Sequence, residues 1–373
     1  MDAFDVLIVG GGPAGSSCAW KLRRSGLRVA ILDKQTFPRD KVCGGWITPA
    51  VLQELDISPG EYGRGRVLQP ITGFRTSCMG GREVETRYTK PISYGIRRYE
   101  FDQYLVERCG ATLLPASPLA QLERSGDGWI VNGHIRTPML IGAGGTFCPV
   151  ARFLGAKVSR ETVVTAQEAE FEMNERQISG CSIRGEMPEL YFCSDIKGYG
   201  WCFRKGNILN VGLGRLDPHG LSRHAAGFLG FLKATGRLRF DVPPLLGHAY
   251  LLFGRTARNI VGKGVLLIGD AAGVAYEQSG EGIRPAIESG LLAAKAVVTA
   301  QGSYSRQRLE LYRDLLTDRF GKPGRDWAAR LACQIPGGLV SFVGRRLLAT
   351  RWFAREVVLD RWFLRHGEPA FNS

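Results

Sequence analysis

The sequence predicts an α/β chain: a helix-flanked parallel sheet, a mostly antiparallel β insertion and a helical C-terminal stretch. Three observations predict it. A short apolar run at 5–9 enters a glycine cluster and then a helical segment. A second unit of this kind recurs more than 200 residues later, at 264–300. Between them lie alternating, β-branched and aromatic runs, such as 163–173 and 207–213, the pattern of half-buried strands.

The first unit is the most specific. The run Val6-Leu7-Ile8-Val9 fits a buried parallel strand. Gly10-Gly11-Gly12-Pro13-Ala14-Gly15 follows, and Gly10, Gly12 and Gly15 spell G-x-G-x-x-G. Residues 16–25 read as a helix ended by Gly26, and 28–32 as a second strand closed by Asp33 and Lys34. Each part has a physical task. Gly10 permits the tight turn, Gly12 lets backbone approach a pyrophosphate, and Gly15 lets helix and strand pack closely. The helix N-terminus offers N–H groups and a positive dipole end to phosphates. Asp33, 18 residues beyond Gly15, is placed to accept the hydroxyls of an adenosine ribose. This unit alone does not separate FAD from NAD.

The second unit runs through Val265-Leu266-Leu267-Ile268 into Gly269-Asp270-Ala271-Ala272-Gly273, then Ser279-Gly280-Glu281-Gly282-Ile283, opening a helix to Ala300. It resembles the second FAD fingerprint of the glutathione-reductase-type flavoproteins. The resemblance implies that Asp270 bonds a ribityl hydroxyl, and that the helix from Gly282 aims its N-terminus at the flavin N1/O2 edge. Reduced flavin is anionic at N1, and a helix N-terminus stabilises that charge. Arg98-Tyr99-Glu100-Phe101-Asp102 matches the R-x-x-F-D segment of the same group, where the arginine lies near the cofactor. Gly142-Ala143-Gly144-Gly145 resembles the G-A-D-G strand end, with Gly144 in place of the aspartate. Many flavin hydroxylases carry that aspartate, so its loss leans away from them.

A narrower resemblance stands beside these. Pro38-Arg39-Asp40-Lys41-Val42-Cys43-Gly44-Gly45 resembles the P-R-x-K-x-C-G-G segment of the geranylgeranyl reductase family, FAD enzymes that saturate isoprenoid double bonds. Tyr191-Phe192 with Gly198-Tyr199-Gly200-Trp201-Cys202-Phe203 resembles its substrate-domain motif, although Arg204 replaces the family's proline. The resemblance covers roughly residues 4–300. It implies that Cys43 faces the flavin ring, where a thiol donates a proton to substrate carbon or shapes the pocket. Tyr199, Trp201 and Phe203 either wall an apolar substrate or form sheet core. Both readings stand.

Two far-separated fingerprints require a discontinuous Rossmann-like FAD-binding domain, expected at 1–75, 95–155 and 255–300. The substrate domain is expected at 76–94 and 156–254, and a basic helical region at 301–373. Helix breaks are expected at 321–324 and 336–338. From residue 327 to 366 there are seven arginines against two acids, interleaved with Leu339, Phe342, Val343, Leu347 and Trp352. That basic amphipathic pattern suits either a membrane surface or a helical cap on the substrate domain.

Composition bounds the remaining choices. A length of 373 residues fits one large domain or two interleaved ones. At 44% hydrophobic and 23% charged, the chain is neither disordered nor fibrous. The net charge of +14 favours anionic partners: a phosphorylated cofactor, an acidic membrane or nucleic acid. No nucleic-acid-binding fold is visible, so that partner is not expected. Nine cysteines show no C-x-x-C pair and no zinc spacing, so no metal site is expected. Their odd number and scatter favour a reducing, cytoplasmic setting. Residues after Met1 show no basic leader or cleavage site, and no apolar run approaches the roughly 18 residues that span a bilayer.

The expected activity is FAD-dependent reduction, or desaturation, of a carbon–carbon double bond in a hydrophobic isoprenoid or lipid-like substrate. NADPH, NADH, ferredoxin and a quinol all remain open as electron donors. The alternative is an FAD monooxygenase of a small aromatic or terpenoid substrate, with a halogenase third. A non-catalytic electron-relay flavoprotein, docking a redox partner through its basic face, belongs to a different class.

Overall fold

A computed structural model describes the chain except at residues 157–160, 162, 218, 256–257, 323–336 and 372–373. It divides into two compact units. The first comprises residues 1–40, 99–163 and 250–325, and the second 41–98, 164–249 and 326–373.

The first unit is built on a six-stranded sheet in the order Val261–Gly262, Val265–Leu267, Met139–Gly142, Val6–Val9, Val29–Leu32, Thr112–Leu114. All its pairings are parallel except that between the first two strands. Val6–Val9, Val29–Leu32 and Met139–Gly142 are buried at every position. That explains their continuous apolar runs, because strands covered on both faces have no polar side. A separate four-stranded sheet pairs Asp2–Ala3, Ile135–Thr137, Gly128–Val131 and Leu122–Ser125. The helix expected at 16–25 spans Pro13–Leu22, since proline is preorganised for a first helical turn. The later helix is Ile283–Thr299.

The second unit carries a seven-stranded sheet: Leu246–Leu251, Val163–Glu172, Ile208–Arg215, Gly198–Lys205, Glu189–Phe192, Gly73–Cys78, Val84–Arg87. Glu189–Phe192 and Gly73–Cys78 pair in parallel; the pairings along Val163–Glu172, Ile208–Arg215, Gly198–Lys205 and Glu189–Phe192 are antiparallel. One face packs on the helix Leu221–Ala234 through Tyr191, Cys202, Leu209, Val211, Leu213 and Phe228. The other face holds Trp46, Phe74, Phe192, Trp201 and Phe203.

The unit boundaries differ from the expected ones. Residues 41–75 fall in the second unit, because Trp46–Ile47 and Leu68–Ile71 pair with Ser93–Ile96, and Gly73–Cys78 joins the seven-stranded sheet. The stretch 301–373 is also not one body. Arg306–Phe320 belongs to the first unit, where Tyr312 donates its hydroxyl to the carbonyl of Leu267 at 2.9 Å. Gly337–Leu348 and Phe353–Phe363 belong to the second, where Leu348, Val358, Leu359 and Phe363 enter the aromatic cluster. Part of the expected breaks, and the start of the basic count, lie outside the described residues. No described helix is long and apolar enough to cross a membrane.

Candidate active site

In the first unit, the chain leaves Val6–Val9 at Gly10, whose φ of 111° excludes most side chains. A β-carbon there would collide with the carbonyl oxygen of Ala143, and one at Gly15 with that of Gly10. Strand end, turn and helix therefore pack backbone to backbone. Gly12 is the N-cap of Pro13–Leu22 and supplies no side-chain cap. The first N–H groups of the helix, including that of Ala14, have no intrahelical acceptor and are left for an anion. Asp33 ties the turn: its Oδ2 accepts the Gly11 N–H at 2.7 Å and its Oδ1 the Gln35 N–H at 2.9 Å. Each oxygen keeps a further lone pair for a ribose hydroxyl. Lys34, next to it, is exposed.

The second fingerprint meets the first. A β-carbon at Gly269 would stand 2.8 Å from Cβ of Ala14, and one at Gly290 would run into the Ala14 carbonyl. The helices Pro13–Leu22 and Ile283–Thr299 thus cross where only glycine fits. Gly269 donates its N–H to Ser289 Oγ at 2.9 Å. Gly282 caps Ile283–Thr299 without a side-chain bond, and Asp270 Oδ1 lies 3.5 Å from the β-carbon position of Gly282. Ile283 is buried, and Gly280 turns against Tyr250. Gly144 follows Met139–Gly142 and packs on Cys148 and Pro149.

Three residues here escape the motif reading. Arg258 donates to the carbonyls of Thr146 and Ala271, both at 2.9 Å, and pairs with Glu161 at 2.7 Å. It ties the turn after Gly144 to the turn after Gly269. Arg39 reaches the N-cap, its Nη2 lying 3.4 Å from the β-carbon position of Gly12, and fully buried Asp102 holds it at 3.3 Å. For Arg39 and Asp102 a signal was present, since they sit inside two of the quoted motifs; Arg258 sits in none.

In the second unit, Tyr199, Trp201 and Phe203 share one face of Gly198–Lys205. They stand level with Gly214, Gly212 and Asn210, which in turn stand level with Ala166, Glu168 and Glu170. A β-carbon at Gly212 would lie 2.5 Å from Trp201 Cζ2 and 2.6 Å from Glu168 Cβ, so glycine lets the indole lie across the strand. Tyr199 meets Phe363 with ring centroids 5.3 Å apart, while Trp201 and Phe203 are buried. These aromatics are therefore partly core.

The peptide of residues 43–45 lies on this face. A β-carbon at Gly44 would be 3.4 Å from Phe203 and 3.6 Å from Trp201 Nε1. Gly45, at φ 61°, leaves no room between the Ile96 carbonyl and Lys205 Nζ. Both backbone groups of Cys43 are held: its N–H donates to Glu168 Oε1, and its carbonyl accepts from Asn210 Nδ2 at 3.1 Å. Asn210 Oδ1 accepts the Trp201 indole N–H at 2.7 Å. Glu168 is buried, and burial, opposed by the Cys43 N–H and Lys205, raises its pKa from 4.5 to about 7. Lys41 Nζ stands 3.2 Å from His248 Nδ1, and burial with Lys41 and Arg98 lowers the imidazole pKa to about 3. Arg98 is 8% exposed, so it is not a solvated surface charge. Glu168 and Asn210 were not anticipated. Cys43 is half-buried, whereas the other seven described cysteines are buried. No cluster of metal-ligating side chains occurs among the described residues.

The first unit fits FAD. Its two uncapped helix N-termini, each preceded by a glycine turn and one accompanied by a carboxylate at a strand end, match a dinucleotide with a diphosphate and two polyhydroxy segments. Comparison with known proteins agrees. Residues 5–77 match the family described as FAD dependent oxidoreductase. The chain is similar to menaquinone reductase of Mycobacterium tuberculosis, at 32% identity over 89% of this chain and 84% of that protein. It is 28% identical to digeranylgeranylglycerophospholipid reductase of Methanocaldococcus jannaschii, over 83% of this chain and 81% of that one. The crystal structure of a geranylgeranyl bacteriochlorophyll reductase-like protein from Thermoplasma acidophilum shares the fold, with a TM-score of 0.79 at 24% identity, covering 94% of this chain and 92% of that one. An FAD-dependent oxidoreductase on all these grounds, the chain belongs to the geranylgeranyl reductase family.

Proposed function

We propose that the enzyme reduces carbon–carbon double bonds of a hydrophobic isoprenoid or lipid-like substrate. The observation that carries this reading is the peptide of residues 43–45, seated on the Trp201 and Phe203 face with Cys43 clamped at both backbone groups. The relatives add support, since menaquinone and digeranylgeranylglycerophospholipid both carry isoprenoid chains.

Gly10, Gly12, Pro13, Ala14, Gly15, Asp33 and Lys34 would hold the adenosine and diphosphate of FAD. Gly144, Gly269, Asp270, Gly280, Gly282 and Ile283 would hold its ribityl and pyrimidine end, and the resemblance would assign Gly44, Gly45 and Arg98 to cofactor binding as well. Bound and reduced there, FAD would supply the hydride. Cys43 gives the proton to the other alkene carbon, and its fixed peptide holds the thiol in one place. Tyr199, Trp201 and Phe203 keep water from the alkene. One double bond consumes one hydride and one proton, and NAD(P)H, ferredoxin or a quinol returns the two electrons.

The second unit also supports a peripheral contact with membrane, where such substrates reside. Leu339, Phe342, Val343, Leu347 and Trp352 are 38–66% exposed, among Arg345, Arg346, Arg351 and Arg355.

The test mixes photoreduced enzyme with polyprenyl substrates without oxygen and follows flavin reoxidation. Alkene-driven reoxidation, slowed roughly 100-fold in Cys43→Ala with an unchanged flavin spectrum, is expected. Reoxidation by oxygen alone, with a hydroxylated product, would instead make the enzyme a monooxygenase. Full turnover by Cys43→Ala would remove the thiol from the reaction.

A further inference from the structure

The strand Val163–Glu172 sets two acids, Glu168 and Glu170, on the face that carries Trp201 and Phe203. Their surroundings differ. Glu170 is matched by cations and donors: its Oε2 accepts from Lys205 Nζ at 2.6 Å and from Asn210 Nδ2 at 3.3 Å, and its Oε1 is 3.7 Å from Arg97 Nε. Glu168 is 4% exposed, and its Oε1 accepts the Cys43 N–H. Its Oε2 is buried with no hydrogen-bond partner among the described residues.

A bare oxygen on a buried carboxylate is costly, whereas a protonated one is tolerated. A proton on Oε2 also leaves Oε1 free to accept from Cys43. The charged groups facing Glu168 pull in opposite directions. Lys205, on Gly198–Lys205, favours the anion, and Glu170, on the same strand as Glu168, opposes it. Arg97 is engaged with Glu170. Burial, reinforced by Glu170, outweighs the Cys43 N–H, Lys205 and the Asn210 side chain and raises the pKa to about 7.

We propose that Glu168 is a positioning residue: its Oε1 carries the Cys43 peptide and keeps residues 43–45 seated on the aromatic face, and its ionisation strengthens that hold. An ionised oxygen is the better acceptor, and because the Cys43 N–H favours the anion, the anion binds that N–H more tightly in return. Asn210 holds the same peptide by its carbonyl. The effect on turnover rests on the reductase reading above, while the seating of the peptide does not.

The experiment uses the full-length FAD-loaded enzyme, its Glu168→Gln variant and its Glu168→Ala variant. Amide hydrogen exchange of residues 42–45, corrected for intrinsic rate, is measured from about pH 6 to about pH 8.5. Alkene-driven flavin reoxidation is followed over the same range. In the wild type, protection should rise roughly tenfold as pH rises through about 7, and reoxidation should quicken in step. Glu168→Gln stays neutral and keeps the acceptor, so both curves should be flat and near the acid-limb values. Glu168→Ala should lack protection at every pH. The proposal is overturned if Glu168→Gln shows the wild-type pH dependence, if Glu168→Ala keeps wild-type protection, or if Glu168→Gln is inactive at every pH with protection intact. Should Glu168→Ala not fold, the comparison of Glu168→Gln with wild type still decides. If the exchange results appear while no alkene reoxidises any variant, the positioning role stands and the reductase reading falls.

Discussion

Replacing Gly290 by alanine should force apart the two helices that bring the glycine turns together. A β-carbon at Gly290 would run into the Ala14 carbonyl and stand 3.2 Å from the Cys18 amide nitrogen. Both are backbone atoms of Pro13–Leu22, so no rotamer change relieves the clash. Overpacking by a methyl costs about 1–3 kcal/mol, and the helix propensity of alanine returns about 1 kcal/mol. The net expectation is a loss of up to roughly 2 kcal/mol. Gly269 rides on the same contact with Ala14, so FAD affinity should fall about tenfold for each 1.4 kcal/mol passed on to the turn. The control is Gly227, within Leu221–Ala234, where an added β-carbon meets nothing within 4 Å. There the same substitution should add about 0.5–1 kcal/mol. Urea unfolding reads both stabilities, and quenching of flavin fluorescence reads the affinity. If Gly290→Ala is as benign as Gly227→Ala and leaves FAD binding unchanged, the helix crossing does not hold the two turns together.

Three further outcomes follow from the second unit. His248 has a depressed pKa, so its contribution is present above 6.5 and lost as pH falls toward 3. Glu168 has a raised pKa, so its contribution is present below 4.5 and lost as pH rises through about 7. Unfolding free energy should therefore pass through a maximum, with Glu168→Gln flattening its alkaline limb and His248→Gln its acid limb. Trp201→Phe keeps the ring but leaves the fully buried Asn210 without its indole donor, and should cost about 1–3 kcal/mol in urea unfolding. Phe342→Ser combined with Trp352→Ser should abolish flotation with anionic vesicles; unchanged flotation would show that this face is not the contact.

Much of the fold was legible because its signals are local. The run into Gly10, the spacing to Gly15 and the strand ending at Asp33 are neighbours in sequence, and their geometry follows from that spacing. Alternation along Gly198–Lys205 puts Tyr199, Trp201 and Phe203 on one face. What escaped depends on register between distant strands. Glu168 lies 125 residues from Cys43, and nothing near it in sequence says that Gly212 and Trp201 stand beside it. Glu168, Glu170 and Glu172 stand at alternate positions of Val163–Glu172, and three acids on one side would suit a solvated strand face. Lys205 beneath Ile96 and the Cys43 N–H make that face an interior one. The extent of 301–373 was misjudged for the same reason. Its helices look alike in composition, yet Tyr312 packs under Leu267 while Phe363 packs on Tyr199.

The most direct test of the reductase reading counts hydrogen against flavin. Enzyme reduced by a known number of electrons is given a polyprenyl substrate without oxygen, and product mass is read beside flavin absorbance. The expected result is two hydrogens gained by the substrate for each flavin reoxidised, with no oxygen incorporated. Flavin that stays reduced before every polyprenyl substrate, and reoxidises only when oxygen enters the product, would contradict it.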